Sequence, residues 1–285
     1  MDRPLRVYLL LAFGITWGAG GLALITGGIR SAHPLHPLQY VAAFGPSIAG
    51  FLMAAATGGW IEVRRLLARV LPSRAGVPWY AAVLLIFPAA NLAAAWLFDP
   101  DSLKGLPSWD RLVSLVPITL ILDTGPLGEE FGCRGFALPR LLRRWRPLAA
   151  ALVLGAIWWA WHLPTFFIQA LSQSQLSIPL FLVNTLALSI LMTGLYVRTG
   201  GDLLLMILVH LMANYCGTIG IPFSTEVSAE VALAALILAG GWLRLTVIAD
   251  HIVKEPNPQG GANGEQPFRP DCTTESSATA PRRSP

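Results

Sequence analysis

Three groups of polar side chains lie inside stretches of the sequence that are otherwise apolar enough to cross a membrane. The groups are Glu129-Glu130 with Arg134, Trp158 with His162, and His210 with Asn214. Ionisable side chains are costly in a hydrocarbon interior, so by default they mark functional sites. Carboxylates, imidazoles and an amide could together supply a general base, a proton donor and partners for an oxyanion. The pattern therefore predicts a functional site where the helices that carry these groups meet.

The two adjacent glutamates are predicted to have different partners. On a helix, Glu130 and Arg134 share a face, with the acid before the base as an ion pair prefers. Glu129 is turned about 100° from Glu130, so only a distorted helix could aim both carboxylates at one point. Glu130 is therefore expected to pair with Arg134, and Glu129 to face apolar surroundings as a candidate general base. Asp123, about two turns before Glu130, could line the same face. In the alternative interpretation, the glutamates and Arg134 form a cytoplasmic helix cap.

Each histidine shares a helix face with a second candidate residue, Trp158 with His162 and Asn214 with His210. Taken singly, the first pair could belong to an interfacial aromatic belt, and the second could join two membrane helices. Together with the glutamates they form one plausible cluster. The two histidines reach the same depth only if the helix of His162 starts late, tilts, or breaks near Pro164.

Metal binding is the competing use of these residues. His162, His210 and a glutamate match the ligand set of two histidines and one carboxylate in some catalytic zinc sites. The sequence has no HExxH motif, which is typical of zinc proteases, and no GxSxG or P-loop motif. Its three cysteines are widely spaced and form no CxxC pair. These residues alone leave metal-free and zinc-dependent chemistry open.

Apolar stretches dominate the chain. Of its 285 residues, 54% are hydrophobic and only 13% are charged, whereas soluble domains carry about 25% charged residues. Because roughly 20 apolar residues cross a bilayer, the sequence predicts an all-α polytopic membrane protein with about eight transmembrane helices. The predicted spans are 7–28, 38–57, 79–97, 112–130, 148–167, 178–197, 203–217 and 227–249. The two glutamates, the two histidines and Asn214 lie on spans four, five and seven.

Basic residues predict the orientation of the chain. Most arginines precede span one or follow spans two, four and six, for example Arg3, Arg65, Arg143 and Arg198. Since arginine and lysine accumulate in cytoplasmic loops, both termini are predicted to be cytoplasmic. This charge is expected to orient helices and not to bind nucleic acid. The domain prediction is an eight-helix domain over 1–253 and a disordered cytoplasmic tail over 254–285, which is rich in Pro, Gly, Ser and Thr.

The three motifs, in this order, resemble those of the CPBP family of intramembrane proteases. They are Glu129-Glu130-xxx-Arg134, Trp158-xxx-His162 and His210-xxx-Asn214. The family includes the type II CAAX prenyl endopeptidases and the bacterial Abi proteins. Each motif is short, but three in order on separate predicted helices make the resemblance fairly specific. The family usually has Phe at the position of Trp158, and the tryptophan keeps the size and aromatic character.

The resemblance implies an endopeptidase that works inside the membrane, in a conical catalytic cavity among spans four, five and seven. Glu129 would activate a water molecule and His162 would share that water. His210 and Asn214 would stabilise the oxyanion. We expect no cofactor, because these groups have enough acid–base and donor capacity without a metal. A zinc ion held by Glu129, His162 and His210 is the alternative.

Glu130, Arg134 and Trp158 would then be supporting residues. The expected substrate is a peptide bond near a membrane-anchored or lipidated C-terminal segment of a peptide or protein, and the expected location is a bacterial plasma membrane. Two functions of other classes stay open, a non-catalytic membrane partner such as an immunity protein and a proton-coupled transporter. An isosteric Glu129→Gln change separates a scaffold, which would tolerate it, from a protease, which would not.

Overall fold

The regular structure of the chain is helical. The computed structural model describes residues 1–26, 37–71 and 75–243, and these ranges contain no strand. The α-helices are α1 (Arg3–Ile25), α2 (Pro37–Ala43), α3 (Gly45–Ala68), α4 (Val77–Phe98), α5 (Trp109–Leu122), α6 (Gly125–Glu130), α7 (Leu138–Leu142), α8 (Pro147–His162), α9 (Ile178–Arg198), α10 (Leu203–Thr218) and α11 (Phe223–Ala239). Short 3₁₀ helices cover Pro100–Gly105, Leu163–Phe167 and Ser172–Gln175. The predicted all-α class is confirmed.

Several helices are suited to cross a membrane. In the described part of the chain, four are long and apolar enough: α1, α4, α9, and α8 with the 3₁₀ helix after it. The pair α2 and α3, bent by 62°, makes a fifth if it counts as one span. The chain is therefore an integral membrane protein. The number of eight spans stays a prediction, because α10 has only 16 residues and α11 only 17. The eighth predicted span, 227–249, extends past the described residues.

The fourth predicted span, 112–130, contains two helices with a break between them. α5 ends at Leu122, Asp123 has an extended conformation with φ −77° and ψ 104°, and α6 begins at Gly125. Pro126 explains the new start, because proline is tolerated in the first turn of a helix but disrupts its interior. The Gly125 N–H donates to the Asp123 side chain over 3.0 Å. The span is therefore a broken helix.

A wider helical turn follows α6. Phe131–Ala137 form a π-helix, an uncommon geometry that often occurs at functional sites. Pro139 has no N–H for the carbonyl of Gly135, four residues earlier, and Nη1 of Arg69 donates to that carbonyl over 2.9 Å. The helix is thus distorted directly after Glu130.

Glycines bring this segment into backbone contact with α3 and with the end of α2. A Cβ atom on Gly132 would lie 2.1 Å from the carbonyl oxygen of Pro46, and one on Gly50 would lie 2.9 Å from Cα of Gly132. A Cβ atom on Gly128 would lie 2.5 Å from the carbonyl oxygen of Ala43. Small residues allow membrane helices to approach this closely. The backbone around the two glutamates is therefore held against a neighbouring helix.

The remaining helices enclose the glutamates from the other side. α8 packs against α9, and α10 packs against α4 and α6. Arg69, at the end of α3, also donates over 2.9 Å to the carbonyl of Gly201, in the turn between α9 and α10. One guanidinium thus joins the π-helix to the start of α10. The predicted disordered tail, 254–285, lies outside the described residues.

Candidate active site

The two glutamates end α6, are buried, and have different partners. Oε1 of Glu130 accepts from Nη1 of Arg134 over 2.9 Å and from Nδ1 of His210 over 2.7 Å. Oε2 of Glu129 accepts from the indole Nε1 of Trp158. The side chains of Glu130 and Arg134 are 0% and 1% exposed. A cytoplasmic cap would expose these groups, so their burial argues against the capping interpretation.

The indole of Trp158 lies at the centre of the cluster. The Arg134 guanidinium lies over its ring, 4.5 Å from the centroid, as a cation–π contact requires. The ring also meets the imidazole of His210 edge-on, with centroids 5.2 Å apart, and that of His162 at 6.0 Å. One side chain from α8 therefore contacts the Glu129 carboxylate and both histidines.

His162 ends α8 and has its ring fixed by the backbone. Its Nδ1 donates to the carbonyl of Trp158 over 2.9 Å. In the neutral ring this leaves Nε2 as an acceptor. The ring packs edge-on against Trp161 and Phe181, with centroids 4.5 and 5.1 Å away. α8 begins only at Pro147 and changes to a 3₁₀ helix after His162. The helix therefore starts where the sequence predicts, and it changes geometry next to Pro164, where a break was one condition for matching depths.

His210 and Asn214 share a face of α10 and converge near Gly125. A Cβ atom on Gly125 would lie 3.1 Å from Nδ2 of Asn214 and 3.3 Å from Nε2 of His210. Because Nδ1 of His210 binds Glu130, Nε2 is the nitrogen left for a ligand. Nδ2 of Asn214 also donates to Oδ2 of Asp123 over 2.8 Å. Asn214 is exposed, whereas His210 is buried.

The structure thus brings all seven predicted residues into one cluster. Direct contacts join Glu129, Glu130, Arg134, Trp158, His162 and His210. Asn214 joins at the exposed edge, beside Gly125 and Asp123. The geometry provides one carboxylate with few partners, two ring nitrogens and one amide. This is a donor and acceptor set suited to acid–base chemistry on a carbonyl group.

Comparison with known proteins identifies the same segment. Residues 107–216 match the sequence model of the type II CAAX prenyl endopeptidases, described as Rce1-like. This match covers less than half of the chain and supports the resemblance to the CPBP family that the three motifs indicate. A relative is CAAX prenyl protease 2 of Methanococcus maripaludis, 27% identical over 143 residues, which are 46% of this chain and 53% of that protein. The chain therefore spans about half the length of this curated relative. The matched segment, 107–216, includes every candidate residue.

Glu129, His162 and His210 are also the residues that would hold a zinc ion in the alternative to metal-free chemistry. Across residues 1–26, 37–71 and 75–243, no three His, Cys, Asp or Glu side chains are arranged to hold a metal ion. Glu129 is bonded to Trp158, and Nδ1 of His210 is bonded to Glu130. These bonds use one atom of each side chain, and Nε2 of His210 stays available to a ligand. That the chemistry needs no cofactor stays a prediction.

Sequence reasoning missed one buried polar contact beside this cluster. Nδ2 of Asn184, on α9, donates to Oε2 of Glu230, on α11. Both side chains are buried, as is Glu226 one turn earlier. The four-residue spacing of Glu226 and Glu230 is the sequence signal for a shared buried face, and it stands in an otherwise apolar stretch. Asp123 was noticed for its spacing, but not as a partner of Asn214.

Proposed function

We propose that the protein is an intramembrane endopeptidase of the CPBP type that hydrolyses a peptide bond with a water activated by Glu129. The observation that carries the proposal is the difference between the two carboxylates. Glu130 is held by Arg134 and His210. Glu129 accepts only from Trp158 through Oε2, and within the described residues its Oε1 makes no hydrogen bond. Oε1 is therefore free to take a proton.

The proposed reaction begins with a water between Glu129 and His162. Oε1 of Glu129 accepts one proton of the water, and Nε2 of His162 accepts a hydrogen bond from it. The remaining hydroxide attacks the carbonyl carbon of the substrate. The protonated Glu129 then gives its proton to the leaving nitrogen. A positioned general base contributes about 10²–10⁴-fold to the rate.

The charge that develops on the carbonyl oxygen needs donors. Two donors lie on one side of Gly125, namely Nδ2 of Asn214 and Nε2 of His210. Both would donate to the carbonyl oxygen of the substrate, His210 when its Nε2 carries a proton. One such donor is worth about 10²–10³-fold. Glu130 and Arg134 support this step, because Glu130 fixes the ring of His210 through Nδ1. The acid–base group and the oxyanion donors thus come from different helices.

The proposed substrate is a membrane-anchored peptide or protein with a lipidated C-terminal segment. The relative's name, CAAX prenyl protease, supports a prenylated segment. The buried cluster opens at the exposed Asn214, on a protein whose apolar helices indicate a bilayer. A substrate already held in the membrane could reach this edge laterally. The arginine distribution supports cytoplasmic termini.

The test compares protein termini in cells that produce the wild-type protein or the Glu129→Ala variant. Quantitative proteomics of C-terminal and N-terminal peptides should find new termini that depend on Glu129, on membrane-anchored proteins. Equal amounts of both proteins in the membrane are the control. Identical termini in wild-type, Glu129→Ala and Glu129→Gln cells would mean that the protein is a non-catalytic partner and that the proposal is wrong.

A further inference from the structure

Asp123 occupies the break between α5 and α6 and binds both sides of the candidate site. Its Oδ1 accepts from the backbone N–H of Gly125 over 3.0 Å. Its Oδ2 accepts from Nδ2 of Asn214 over 2.8 Å. An ionised carboxylate has two oxygens that only accept, so it can hold two donors at once. One side chain thus joins the first residue of α6 to the C-terminal part of α10.

The two elements that Asp123 joins carry different parts of the proposed chemistry. α6 is a short helix that starts at Gly125 and ends with the two glutamates, Glu129 and Glu130. α10 carries Asn214, the proposed oxyanion donor. The distance between the base and this donor therefore depends on how α6 sits against α10. The contacts of Asp123 fix that distance at the end of α6 that lies away from the glutamates.

Asp123 also determines which end of the Asn214 amide faces the site. An amide presents either its oxygen or its two N–H groups, and its terminal torsion is broad. Because the carboxylate of Asp123 accepts only, Asn214 must turn Nδ2 toward it. This turns Nδ2, with a second N–H, toward Gly125, next to Nε2 of His210. Asn214 is exposed, so packing alone does not impose this orientation.

We propose that Asp123 is a positioning residue of the active site, which holds the amide of Asn214 in its donor orientation and sets α6 against α10. This inference rests on the proposed endopeptidase function. Asp123 acts through Asn214 and touches no reacting atom in the proposed mechanism. A donor displaced by about 1 Å can cost on the order of 10²-fold in rate. The effect of losing Asp123 should therefore appear in kcat and depend on the presence of Asn214.

A double-mutant cycle tests the proposal. The full chain is reconstituted in vesicles as wild type, Asp123→Ala, Asn214→Ala and the double variant, and kcat and KM are measured on a prenylated peptide. We expect Asp123→Ala to lower kcat about tenfold or more with little change in KM, since misplaced donors cost transition-state binding. In the Asn214→Ala background it should cost less than about twofold, because residues in one network are not additive. Equal losses in both backgrounds would overturn the proposal.

Two further variants keep the cycle interpretable if Asp123→Ala folds poorly. Asp123→Asn keeps the shape but offers one acceptor oxygen for two donors, so its kcat should fall while its melting temperature stays near wild type. Asp110→Asn, at an exposed position in the first turn of α5, should leave kcat unchanged. Wild-type kcat in Asp123→Asn and in Asp123→Ala would contradict the positioning role.

Hydrogen exchange separates this inference from the proposed function. The Gly125 N–H is bonded to Asp123, so peptides that cover 124–130 should exchange faster in Asp123→Ala than in wild type or Asp110→Asn. This readout needs no activity. An inactive wild-type protein with the expected exchange pattern would refute the endopeptidase and leave the structural contact standing. Unchanged exchange with an active wild type would refute the role of Asp123 alone.

Discussion

Replacing Glu130 by glutamine should destabilise the protein far more than the same change at Glu129. Glu130 is fully buried and binds two groups, Arg134 and His210. Arg134 is also buried, and its Nη2 already lacks a hydrogen-bond partner among the described residues. Removing one partner of a buried ion pair leaves an uncompensated charge and costs about 3–5 kcal/mol. That is a large share of the roughly 5–15 kcal/mol that holds a typical protein folded.

Glu129→Gln is the matched control, since it changes the neighbouring buried residue by the same atoms. The amide oxygen of a glutamine can still accept from Nε1 of Trp158, so the hydrogen bond seen at Glu129 is retained in neutral form. The cost should be no more than the roughly 1 kcal/mol of a typical hydrogen bond. Glu129→Gln should therefore accumulate and unfold like the wild type while it loses activity.

The assay is thermal unfolding of the purified proteins in one detergent, with membrane abundance measured in parallel. At roughly 2–4 °C per kcal/mol for chains of this size, Glu130→Gln should melt about 6–20 °C below the wild type. Adding Arg134→Met to Glu130→Gln should recover part of the loss, because an apolar replacement of a buried pair is often neutral. Equal melting temperatures for the Glu129→Gln and Glu130→Gln proteins would refute the supporting role of Glu130.

Three further substitutions test separate contacts of the site. Trp158→Phe keeps an aromatic ring over Arg134 but removes the donor to Glu129. Because a hydrogen bond to a charged group is lost, kcat should fall about tenfold at normal abundance. An unchanged kcat would contradict the contact. Gly125→Ala places a methyl group 3.1 Å from Nδ2 of Asn214. The kcat should therefore drop about tenfold or more without a lower melting temperature. A wild-type kcat would contradict the donor geometry. Gly132→Ala would put Cβ 2.1 Å from a backbone oxygen of α3, so little folded protein should be recovered. The control Gly14→Ala, which has open space around it, should give normal yield. A normal yield of Gly132→Ala would refute the close packing.

The contents of the cluster could be predicted from residue types and helical spacing. Helix geometry separated Glu129 from Glu130 and paired Glu130 with Arg134, and both features are present in the structure. Intramembrane polar residues are rare enough that their grouping was informative. The partner of His210 could not be predicted, since α10 meets α6 only through tertiary packing.

The backbone around the cluster was the part that spacing could not predict. The pair Gly125-Pro126 indicates a helix start. Hydropathy alone does not show it, because 112–130 is apolar throughout most of its length. Inside the π-helix over Phe131–Ala137, the carbonyl of Gly135 accepts from Arg69, a donor that is distant in sequence. Local sequence carries no information about such a partner. The break at Asp123 and the π-helix are the two features by which the observed site differs from an ideal helix.

The most direct test of the central claim is the rate at which purified protein in vesicles cleaves a prenylated peptide, measured by mass spectrometry for wild type and Glu129→Gln. If Glu129 is the general base, the variant should keep its melting temperature and lose about 10²–10⁴-fold in kcat. A Glu129→Gln protein that cleaves the peptide at the wild-type rate would contradict the claim.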